Sequence, residues 1–222
     1  MSGEEAAIIL GAAALSVAGV AFALLAASMA RRVANLVGMA GGIVVLLVAV
    51  FHLAPETFAA GGVEPIFLFA GASIGIALEI LFRVRPDPAP ATIRAGAWLG
   101  VLVLAIHSTL DGAVYNAVIW HGDGAGILAS LGLILHEAPE GVVAMMLALQ
   151  AGLRPLAAAG VAVTASSLTT PAGWALGHAI GESAHGAMQA MFAASAGLLL
   201  YVGWHLVASG WRALRAGRNG AA

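Results

Sequence analysis

Five residues near the middle of this 222-residue chain have types and spacings that could do chemistry: His107, Asp111, His136, Glu137 and Glu140. His107 and Asp111 stand four apart, as do His136 and Glu140, so on a helix each pair projects from one face, one turn apart. Glu137 turns about 100° away on the same rim. Two imidazoles with two or three carboxylates are a donor set for a divalent first-row cation, suited to Zn2+, Fe2+ or Mn2+. The chain has no cysteine, which excludes thiolate ligands, disulfides and thiol catalysis.

The elements that must position these residues follow from composition. Hydrophobic residues make up 61% of the chain and charged residues 9%, where a soluble domain carries about a quarter charged. The solvent of most of the chain is therefore lipid. A net charge of −2 leaves no basic footprint for nucleic acid, so none is expected as a partner. The expected fold is all-α: a polytopic membrane helix bundle forming one transmembrane domain over residues 1–222. Seven spans are read between charges and Pro/Gly breaks, at 7–30, 34–54, 65–82, 95–119, 125–149, 155–180 and 187–210. The start, Met1 to Glu5, has no basic region, so the first apolar stretch reads as a span and not a cleaved signal.

The arginines test that count. All nine basic residues are arginine: 31, 32, 83, 85, 94, 154, 212, 215 and 218. They follow the first, third, fifth and seventh spans and none falls on the other face. The positive-inside rule then sets the N-terminus outside and the C-terminus in the cytoplasm. Position 107 is the midpoint of its span, and 136–140 straddles the midpoint of the next. A carboxylate at that depth costs about 2.5–3.5 kcal/mol, so three unpaired ones would cost roughly 10 kcal/mol. The five residues must face the bundle interior and share a neutralising partner. Pro139 frees the carbonyl of Leu135 and loosens the helix beside His136. Gly112 and Gly141 each follow a carboxylate and leave room for a close neighbour or a solvated cation.

The run His107–Gly112 (HSTLDG) resembles the fourth-helix motif of the ZIP (Zrt- and Irt-like protein) divalent metal transporters. The run His136–Gly141 (HEAPEG) is similar to their fifth-helix HExPEG signature, and His52–Glu56 (HLAPE) to their HLxPE. Ala196, Gly197, Leu200 and Tyr201 resemble the seventh helix. The resemblance implies a multi-pass protein of the cell membrane, of the bacterial inner-membrane kind, that carries Zn2+, or Fe2+, Mn2+ or Cd2+, into the cytoplasm. The metal is then a transported substrate and not a cofactor. His107, Asp111, His136, Glu137 and Glu140 would be ligands of a mononuclear or binuclear site, with Ser108 where many relatives carry Asn. The family usually has eight spans, so a last helix is either supplied by a partner, as in a homodimer, or dispensed with. Relatives also often end the seventh helix with carboxylates, where this chain has His205 to Ser209.

Outside the membrane the chain expects an entrance. His52 with Glu56 and His178 with Glu182 are further i,i+4 pairs, and Glu64, His121, Asp123 and His185 share that face. Together they would concentrate divalent cations; taken singly, each also reads as an ordinary solvated loop end. The sixth span carries Thr164, Ser166, Ser167, Thr169, Thr170 and Pro171. Such hydroxyls usually bond i−4 carbonyls or neighbouring helices, and facing the site they could hold water around the metal. Residues 47–53 and 200–206 form a short inverted repeat on oppositely directed helices.

A second class competes: an intramembrane metal-dependent hydrolase with His107 as ligand and Ser108 as nucleophile. The zincin pattern HExxH fails here, because Glu140 stands where the second His belongs and Pro139 interrupts the helix. A third class uses the same carboxylates as a proton relay. The chain is read as a transporter and not an enzyme.

Overall fold

A computed structural model describes residues 3–29, 31–59, 62–83, 90–120, 124–180 and 185–219. Those residues are helical almost throughout, and no strand occurs among them. The helices are α1 (Gly3–Met29), α2 (Arg31–Val48), α3 (Ala54–Ala59), α4 (Glu64–Arg83), α5 (Pro90–Trp120), α6 (Gly124–Gln150), α7 (Pro155–Val163), α8 (Thr169–Ile180) and α9 (His185–Asn219). Two π-helical turns, Ala49–Leu53 and Thr164–Leu168, join α2 to α3 and α7 to α8. The described residues thus run as seven rods.

Each π turn lies just ahead of a proline. Pro55 and Pro171 have no N–H to give the carbonyl four residues back, and their rings press against it. Widening the helix by one residue relieves that clash without ending the rod. The second rod therefore passes through Pro55 to Ala59, where the sequence reading stopped at residue 54. Pro139 is different: it lies inside α6, which stays α-helical around it.

Two further expectations are corrected. The fourth span, expected from residue 95, already begins at Pro90 as α5, a residue whose fixed φ suits the first helical position. The last rod continues to Asn219, past the expected 210. Its basic side chains support that extension: Arg212 Nε donates to the Ala208 carbonyl, and the Arg215 guanidinium lies 5.0 Å from the Trp211 ring centroid.

The outer surface is apolar. Phe51 is 74% exposed and Leu156 81%, and Phe22, Phe69, Ile66 and Trp204 are also exposed. Water would not tolerate such a surface on a monomer; lipid does. Among the described residues, four helices are long and apolar enough to cross a membrane by length and composition: Glu5–Ser28, Val33–Ala59, Arg94–Ala113 and Gln189–Arg215. The molecule is an all-α membrane helix bundle.

Without a hydrophobic drive between helices in lipid, small residues decide where rods touch. A Cβ on Gly112 would fall on the Thr170 carbonyl oxygen, and one on Gly173 would fall on that of Thr109, so α5 and α8 meet backbone to backbone. Gly19 and Gly141 do the same for α1 and α6, against Ala138 and Ser16. Of the two roles left open for Gly112 and Gly141, both thus admit a close neighbour. α5 and α6 run antiparallel, with Gly100 beside Leu147 and Asp111 beside His136. The second and last rods, which carry the short repeat, are antiparallel too, with Gly42 beside Gly203 and Asn35 beside Gly210.

Candidate metal centre

Antiparallel packing brings the two His-carboxylate pairs to one level. His107, Asp111, His136 and Glu140 are all buried, and each offers a donor atom within 4.8 Å of the others. Asp111 is the hub. Its Oδ2 lies 2.6 Å from His136 Nε2 and 3.2 Å from His107 Nε2. The two imidazole rings stand 5.8 Å apart between centroids. Bonds of about 2.0–2.2 Å set the donors of a tetrahedral ion roughly 3.3–3.6 Å apart. The shortest contact here needs to open by only about 1 Å to reach that spacing.

The remaining polar atoms ask for a partner. Both carboxylate oxygens of Glu140 and Oδ1 of Asp111 are buried with no hydrogen bond among the described residues. Native buried polar groups rarely go unpaired, and a site built for an ion is one recognised reason. Two carboxylates with two neutral imidazoles carry a charge of −2, which one dication cancels.

The other sequence-selected residues that the structure describes lie outside this group of four. The Tyr115 hydroxyl donates to Glu137 Oε1 at 3.4 Å. Ser108 Oγ donates to the Ser166 carbonyl at 3.0 Å and lies 2.9 Å from Thr170 Oγ1. His52 and Glu56 form the expected pair, Nδ1 to Oε1 3.5 Å, and both are partly exposed. His178 is exposed and stacks on Trp174, with centroids 5.4 Å apart and planes 13° apart. Glu182, His121 and Asp123 lie outside the described residues.

The sixth-rod hydroxyls mostly bond back along their own helix. Thr164 donates to the Gly160 carbonyl, Ser166 to Ala162 and Thr169 to Ala165. Ser16 on α1 donates to Ser166 Oγ at 2.8 Å. With the Ser108 contacts, this network binds the π turn to α1 and α5 beside the site.

Two residues were missed. Tyr115 continues the spacing of His107 and Asp111 by a further four residues, so that signal was present. Ser195 on α9 lies 2.8 Å from His107 Nδ1; a single serine among alanines and glycines gave no comparable signal.

The ZIP zinc transporter family profile matches residues 85–209, a stretch that holds all four clustered residues. The zinc transporter ZIP10 of Danio rerio is 30% identical over 112 residues, which is 50% of this chain and 13% of that protein. The matched region is thus a small part of that relative's length.

Proposed function

This chain belongs to the ZIP zinc transporter family, and from that premise we propose that it carries divalent transition-metal cations, Zn2+ foremost, across the membrane. The pathway runs through His107, Asp111, His136 and Glu140. The observation that carries this reading is the buried, uncompensated carboxylate of Glu140 beside two imidazoles and Asp111. A carboxylate left charged at mid-membrane depth is expensive, and a divalent cation would balance this set.

One ion fits the group of four. Ser108 is engaged with Ser166 and Thr170 and serves packing in this reading. Glu137, held by Tyr115, is a carboxylate beside the ion and not one of its four ligands. His52 and Glu56, a further His-carboxylate pair, form the entrance in this reading. The seven rods all cross the membrane as one domain of the cell membrane, and the arginines orient the C-terminus to the cytoplasm; uptake toward the cytoplasm is the direction the family resemblance implies.

The hydrolase alternative has no support at the residue it needs. Among the described residues, Ser108 Oγ contacts a carbonyl and a hydroxyl and no imidazole that could act as its base.

Titration of the purified chain with Zn2+ tests the reading. One ion per chain is expected, with affinity falling as pH falls, because protons compete for the same imidazoles and carboxylates. Two ions per chain would contradict the single-ion site. Uptake that rises with external acidity would favour the proton-relay class instead.

A further inference from the structure

We infer that Ser195 is a positioning residue for the metal centre: its hydroxyl holds the ring of His107 in the orientation and tautomer that binds the ion. The inference rests on the proposed role of His107 as a ligand. Ser195 Oγ and His107 Nδ1 are 2.8 Å apart, and both residues are buried, 2% and 0% exposed. The other ring nitrogen, Nε2, is the one turned to Asp111 at 3.2 Å. For a neutral imidazole to offer Nε2 to a cation, its proton must sit on Nδ1. Ser195 Oγ is then the acceptor of that proton's hydrogen bond.

The choice of a hydroxyl has a chemical consequence. A carbonyl or carboxylate at this position could only accept, and would hold one tautomer permanently. A hydroxyl both donates and accepts. Before the ion arrives, the ring can carry its proton on Nε2 toward Asp111 while Ser195 donates to Nδ1. With the ion on Nε2, the ring proton sits on Nδ1 and Ser195 accepts. One partner therefore supports both forms of the ring, as a site that must take up and give up its ion requires.

The backbone of α9 fixes where that hydroxyl stands. Gly71 on α4 lies directly against the Ala194 carbonyl, and Gly197 lies directly against that of Leu68. These contacts flank Ser195 by one and two residues, so its position follows from close helix packing. His107 is braced from a rod that supplies none of the four ligands. Groups of this kind, behind a metal-binding histidine, typically contribute 10- to 100-fold in affinity.

A double-mutant cycle on the full-length chain tests the inference, with Zn2+ affinity measured by titration in detergent. Ser195→Ala is expected to weaken binding about 10- to 100-fold, and Ser195→Thr, which keeps the hydroxyl, to retain most of the affinity. In a His107→Ala background, Ser195→Ala should cost nothing further, because the residue it acts through is gone. Wild-type affinity in Ser195→Ala overturns the inference. So does a loss in Ser195→Thr as large as in Ser195→Ala, or an Ser195→Ala loss that recurs in full without His107. If His107→Ala itself binds as wild type, the ligand set fails, and that result is separable from the others.

Discussion

Glu140→Ala and His136→Ala are each expected to reduce Zn2+ uptake into proteoliposomes to about a hundredth of the wild-type rate or less. Loss of a group that merely supports a ligand costs 10- to 100-fold, and these two are placed as ligands themselves. Glu140 supplies half of the negative charge that balances a dication, and its carboxylate has no other partner among the described residues. His136 approaches Asp111 more closely than His107 does, 2.6 Å against 3.2 Å. The fold should survive both changes, because the contacts that seat α6 on α1 run through the backbone beside Gly141 and Gly19. Thermal unfolding in detergent checks that survival independently of transport. Wild-type uptake rates in both variants would show that the metal passes elsewhere.

Asp111→Asn should be as severe while changing almost no volume. Asp111 Oδ2 is the atom on which both imidazoles converge. Asparagine keeps the shape of the side chain and removes its charge, leaving one carboxylate in the group of four to balance two positive charges. An uncompensated charge at mid-membrane depth is expensive, so the apparent KM for Zn2+ should rise by at least about 100-fold. A KM near that of wild type would mean that Asp111 only positions the histidines, and that charge balance does not govern the site.

The rods and the clustered pairs were legible for one reason: charge is scarce in this chain. With charged residues at 9%, the arginines bracket the expected spans, and every ionisable group at mid-span stands out. Spacing by four then grouped His107 with Asp111 and His136 with Glu140. Less legible was the continuation of the second rod through Pro55. A proline reads as a stop unless a π turn absorbs its clash, and that turn has no compositional mark. Likewise, Glu137 and Glu140 have the same charge and lie at the same depth. Tyr115 meets Glu137, while Glu140 joins Asp111 and the two histidines, and both arrangements depend on packing between rods. Ser195 lay beyond a local reading for the same reason, since its partner is 88 residues away in the chain.

The most direct test of the account is uptake of labelled Zn2+ into liposomes containing only this protein, with other cations as competitors. Two imidazoles favour the later first-row metals and their like over Mg2+ and Ca2+, which prefer all-oxygen sites. Saturable uptake that Cd2+, Fe2+ or Mn2+ suppresses, and that excess Mg2+ or Ca2+ leaves unchanged, is the expected result. Uptake no greater than into protein-free liposomes, or uptake that Mg2+ suppresses as strongly as Cd2+, would contradict it.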